Sequence, residues 1–161
     1  MAAMSNYLEN KIIDATFRGV AFTPAATLYV ALFTADPTDV GTLVEVGATT
    51  ANGYTRVAVT SGVAQWAATN GATTVTNPSS GTSGTTSNNA IIQFPTPSAG
   101  NWFNGAGPAA SSITHFAIMD SATIGAGNVY FFGALTNPKT VNLGDAGPSF
   151  AISSLSVQID N

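Results

Sequence analysis

With 161 residues, a formal net charge of -4, only 7% charged residues and no cysteine, the chain excludes several functional classes at once. Its 4 Lys and Arg residues do not neutralise a run of phosphates, so nucleic-acid binding is not expected. The absence of thiols removes disulfide frameworks, thiolate metal sites and thiol nucleophiles together.

The length fits one domain over 1–161, large enough to fold without staples. Ordinary soluble domains carry about 25% charged residues. Here threonine, serine, asparagine, glycine and alanine take their place, and a surface so poor in charge suits a protein covered by copies or partners. The opening MAAMSNYLEN has neither the basic start nor the apolar core of a signal peptide. No apolar run reaches the roughly 18 residues of a membrane span, so no membrane contact is expected.

In chain order, Asn6 followed by Glu9 reads as a capping box, and Leu8, Ile12, Ala15 and Gly19 follow at helical spacing. The spacing predicts one helix over 6–18, with Arg18 in its last turn and Gly19 as a left-handed cap. Ile13, Phe17 and Val20 are expected to widen its buried face. Thr27–Thr34 is apolar on both alternating faces, as a strand covered on both sides must be, and Asp36-Pro37-Thr38-Asp39 ends it. Tyr54–Thr60 is the next strand, after a loop over 41–53.

The 61–89 region is a surface excursion, and within it AATNGATTVTNPSSGTSGTTSNN is too rich in small polar residues to organise a core. Ala90–Phe94 resumes as a strand, and 98–112 is an irregular loop carrying Trp102 and Phe103. Strands then follow at Ile113–Asp120, Asn128–Leu135, Lys139–Leu143, Ser149–Ile152 and Leu155–Ile159. About eight strands and one N-terminal α-helix predict an all-β chain, an antiparallel β-sandwich of jelly-roll or Greek-key type.

The one histidine, His115, lies in the strand ITHFAIMD. Period-two alternation puts it on a face with Ile113, Ala117 and Met119, and puts Asp120 on the other face with Thr114, Phe116 and Ile118. A relay within this strand is excluded, and a packed structural histidine is expected. One imidazole also leaves zinc sites of two or three imidazoles without ligands. The GAG segments at 105–107 and 125–127 lack the Lys-Ser/Thr of a phosphate loop and read as turns, and Asp36 and Asp39 read as turn caps. The eight acids are scattered singly, with no pair spaced for glycoside hydrolysis. No catalytic, cofactor or metal residue, and no small-molecule substrate, is therefore expected.

The order TFRGVAF, LYVALFTADPTD, EV, YTRVAV, NNAIIQFP, ITHFAIMD and FFGALTNPKTVNLGD with a closing amphipathic strand resembles a family of small virion structural proteins of tailed bacteriophages. Some of these are similar to capsid cement or decoration proteins. The resemblance implies a non-enzymatic protein made in the host cytoplasm and carried on the capsid surface. Such a protein commonly forms a homotrimer that clamps the major capsid protein through many weak, mutually reinforcing contacts. Candidate contacts are Tyr7, Arg18 and Phe22 around the helix, Arg56, Trp66, and Trp102 with Phe103 in the irregular loop. Arg18 and Arg56 have an alternative as surface pairs with Asp14 or Glu45. The other reading is a tail-fibre or baseplate adsorption module binding a host surface glycan, with Trp66, Trp102, Asn101 and Asn104 lining a groove.

Overall fold

The computed structural model describes residues 2–41, 43–47, 52–103 and 111–159. Residues 104–110 of the 98–112 loop, with Asn104 and the 105–107 glycine segment, and Asp160 lie outside the described residues.

The chain enters through β1 (Ala3–Met4) and one α-helix, α1 (Asn6–Phe17). Ser5 takes the N-cap instead of Asn6. Its hydroxyl accepts from the Leu8 N–H and donates to the Val129 carbonyl, so one side chain both caps the helix and ties it to a later strand. The helix ends where expected, with Arg18 at the C-cap and Gly19 in the left-handed region at φ 68. There the Val20 N–H returns to the Asp14 carbonyl at 3.1 Å.

The expected burial of the helix is not observed. Leu8 is 6% exposed, but Phe17 is 81% exposed and Ile13 and Val20 are each 49% exposed. Contact with the sheet is made through the first turn, by Leu8 and by Tyr7 stacked on Tyr130 at 5.8 Å. Among the described residues, the apolar positions further along stay open to solvent, Phe17 most of all.

Three antiparallel sheets follow. They contain β2 (Thr27–Phe33), β3 (Val57–Thr60), β4 (Trp66–Ala67), β5 (Thr85–Asn88), β6 (Ile92–Gln93), β7 (Ile113–Met119), β8 (Val129–Lys139), β9 (Ser149–Phe150) and β10 (Ser156–Gln158). The main sheet has the order β1-β8-β7-β2-β3, a second has β10-β5-β4, and a third pairs β6 with β9. The architecture is the antiparallel, sandwich-like all-β fold with one short N-terminal helix that the sequence predicts, with ten strands among the described residues.

β2 shows why its sequence is apolar throughout. Val30 and Leu32 enter a large cluster with Phe94, Trp102, Phe116, Ile118 and Val157, while Ala31 and Phe33 enter a second with Ala117, Met119, Val129 and Phe132. Both faces of the central strands are therefore covered.

Two expected strands, Asn128–Leu135 and Lys139–Leu143, are not separate. β8 runs unbroken through Asn137-Pro138, and everything beyond Leu135 in it is exposed, where a proline costs no central ladder bond. The polar 61–89 stretch is also more ordered than its composition implies, because β4 and β5 pair with each other and β5 pairs with β10. Asn88 explains the anchoring. Its buried amide donates to the Ala90 and Ala151 carbonyls at 2.9 and 2.7 Å and accepts from the Leu155 N–H at 2.9 Å.

The alternation around His115 is broken at one residue. Ile113 pairs with Lys139 and His115 with Ala134, five positions apart on β8 against two on β7. This bulge turns Ile113 into the large cluster instead of leaving it with Ala117 and Met119.

Candidate functional site

Two of the expected contact residues turn inward. Arg56 forms a fully buried ion pair with Glu45, Nη2 to Oε2 at 2.6 Å and Nε to Oε1 at 2.8 Å. Its Nη1 also donates to the Ser121 and Ala126 carbonyls at 2.7 and 2.9 Å, and the Gly125 N–H donates to Glu45 Oε2 at 2.8 Å. Every guanidinium edge is thus spent on holding the β7–β8 connection against the core, and none faces a partner. The alternative pairing with Glu45 holds, but in the interior instead of at a surface.

Tyr54 completes this network. Its hydroxyl accepts from the Leu32 N–H at 2.9 Å and donates to Glu45 Oε1 at 3.1 Å. Burial first, and then the Glu45 carboxylate, push its phenol well above the ordinary tyrosine range. Trp102 is the second inward residue, 0% exposed and set edge-on against Tyr54 at 5.2 Å and Phe94 at 6.4 Å. It is a core residue, and neither a virion contact nor a sugar-stacking platform is open to its ring. Phe103 is half-buried against the same cluster, and Asn101 is buried.

The remaining candidates are at the surface. Tyr7 is half-buried on Tyr130, with Lys11 Nζ 5.7 Å from the Tyr7 ring centre, and Phe22 meets Tyr130 at 6.2 Å. Arg18 pairs with Asp14 at 2.8 Å across one exposed helical turn, the surface pair foreseen as its alternative. Ile13 and Phe17, one turn apart on α1, are exposed, and so is Val20 just past the helix end.

His115 is half-buried, with Nδ1 2.9 Å from the Thr114 hydroxyl and Nε2 3.9 Å from Asp36 Oδ2. The second distance is too long for a hydrogen bond, and Asp36 Oδ1 already accepts from the Thr38 N–H at 2.9 Å as a turn cap. Thr, His and Asp stand in a row without the contacts of a relay. Among the described residues no group of three or more His, Cys, Asp or Glu side chains is arranged to hold a metal, and no helix is long and apolar enough to cross a membrane.

Two kinds of cleft open on the surface. Trp66 is half-buried between a dry cleft of about 220 Å³ walled by Leu28, Ile118, Phe131 and Val157 and another of about 280 Å³ under the 72–79 segment. Its indole Nε1 is buried with no hydrogen-bond partner among the described residues. At the outer end of β8 lies a cleft of about 620 Å³, with Thr136, Asn137, Lys139, Ser149 and Phe150 in its wall. A second cleft of about 460 Å³ adjoins it, sharing Asn137, Lys139 and Ala146. The larger cleft has a mixed polar and aromatic wall and the smaller a polar one, and walls of this kind and size suit noncovalent binding.

Sequence reasoning missed the β8 cleft because Lys139 was read as the start of a strand. The available signal was a polar TNPKT segment following the aromatic VYFF run, with its lysine far from any acid at helical or cross-strand spacing.

No curated protein matches the chain. A family model described as Podophage GP4 fiber I protein gp80 matches residues 3–158, nearly the whole fold from β1 through β10. The match thus covers the capped helix, the buried Glu45–Arg56 network and the β8 clefts alike, and the chain belongs to this phage virion structural family.

Proposed function

We propose that the chain is a non-enzymatic fibre component of a podophage virion that takes part in adsorption to the host surface. The observation that carries this reading is the family match over residues 3–158, whose description is a fibre and not a shell protein. The absence of a relay at His115 and the binding character of the clefts at β8 support it. The exposed Ile13 and Phe17, one turn apart on α1, with the exposed Val20 just past its end, support a seat on another virion protein, since an apolar helix face commonly lies in a partner's groove. With the helix end seated in the virion, β8 and its clefts remain for the host.

Cryo-electron microscopy of virions, with antibody labelling of this chain, tests the reading. Label on fibres projecting from the tail is expected. Label at the junctions between capsomers would overturn the fibre reading and return the cement reading that the sequence order resembles.

A further inference from the structure

We propose that the paired clefts at the outer end of β8 bind an acidic saccharide, with Lys139 meeting its carboxylate; this rests on the adsorption reading above. Of the four basic side chains, three are already engaged within the chain. Lys11 lies over Tyr7, Arg18 pairs with Asp14 and Arg56 is buried on Glu45. Lys139 has no ion pair or side-chain hydrogen bond among the described residues, and it lines both clefts. An exposed cation held in no ion pair can meet an anion.

Its neighbours supply what a sugar ring needs besides charge. Thr136 and Asn137 line the same cleft and their side chains make no hydrogen bond among the described residues, so its wall offers a hydroxyl and an amide. Phe150 is half-buried with its ring edge-on to Phe116 at 5.6 Å, giving the cleft an apolar wall for the C–H face of a sugar. Asp145, the one carboxylate among the described residues that line these clefts, is turned toward Asn142, whose backbone N–H and Nδ2 donate to its Oδ2 at 2.8 and 3.3 Å, and it makes no ion pair with Lys139.

The opposite wall is held firmly, which lowers the ordering cost of binding. Gln93 Nε2 donates to the Gly147 and Pro148 carbonyls at 2.9 and 3.2 Å. A Cβ at Gly147 would come within 2.2 Å of the Phe94 and Pro95 carbonyl oxygens, so only glycine allows this close approach. One cation and a ring-sized wall fit a uronic-acid-bearing saccharide and are too few for a polyphosphate.

The test uses the full chain, a uronic-acid-containing tetrasaccharide and its carboxyl-reduced form, with binding followed by calorimetry and by NMR shifts. The acidic form is expected to bind, with Lys139→Gln weakening it about tenfold and carboxyl reduction weakening it similarly. Asn137→Ala is expected to weaken both forms. Both side chains are exposed, so circular dichroism should show an unchanged fold. Equal binding by the wild type and the Lys139→Gln variant, or equal binding of the two saccharides, overturns the proposal. A second arm uses polysaccharide isolated from host envelopes. If the wild type and both variants bind it alike, the cleft assignment fails while adsorption stands, and if the wild type binds neither it nor intact cells, both fail.

Discussion

Arg56 and Glu45 are a fully buried pair in a chain with few charges, and their partners account for each polar atom. Removing one partner strands the other in the core. Arg56→Met is expected to cost about 3–5 kcal/mol in urea unfolding, whereas the double change with Glu45→Leu should cost less than the single change, because no lone charge remains. A loss within about 0.5 kcal/mol for Arg56→Met would place the pair in solvent instead. Tyr54 adds a pH dependence with a definite sign. Its folded-state ionisation is raised by burial and by Glu45, so the unfolded chain loses this proton first, near pH 10. The stability it contributes is present in full below about pH 10 and falls as pH rises beyond it, by up to about 1.4 kcal/mol per pH unit per proton. Tyr130, also raised by burial, retains part of that slope. Tyr54→Phe should flatten the alkaline loss by one proton's share in unfolding curves between pH 9 and about 11, and cost about 1–3 kcal/mol at neutral pH because Glu45 and the Leu32 N–H lose a partner.

At the scale of elements, α1 is the clearest case of local rules obeyed and tertiary expectation unmet. Its start, its end and its left-handed glycine follow from side-chain capping and backbone sterics, which act over four or five residues and are readable in any sequence. Which apolar residues it buries depends on where β8 lies, and only the first turn reaches it. Leu8→Ala is expected to destabilise the chain by about 2–4 kcal/mol in thermal or urea unfolding. Phe17→Ser should change stability by less than about 0.5 kcal/mol yet reduce incorporation into virions in a complementation assay. A large stability loss for Phe17→Ser would mean this side chain is packed within the chain. β4 and β5 show the opposite discrepancy. Threonine suits a strand, but without apolar alternation its pairing is invisible until Asn88 and β10 supply the partners.

Across the whole molecule, the central strands β2 and β7 and the first part of β8 are covered on both faces, while 68–84 is mostly exposed, with its side-chain hydrogen bonds made at the surface. Native-state hydrogen exchange should therefore be slowest in β2 and β7, near the limit of global unfolding, and fastest across 68–84. Exchange in 68–84 as slow as in β2 would show that the excursion belongs to the cooperative core.

By itself the sequence determined the all-β class, the single helix with its glycine stop and the two-faced strand at Thr27–Phe33. These follow from periodicity, capping and residue counts, which act within a few positions of the chain. Only the tertiary structure decided that Trp102 and Arg56 face inward, that Phe17 faces outward and that Lys139 lines two clefts with no ion pair among the described residues. Burial and pairing of a long side chain depend on residues far away in sequence, such as Glu45 for Arg56 or Phe94 for Trp102. Neither composition nor spacing encodes those distances.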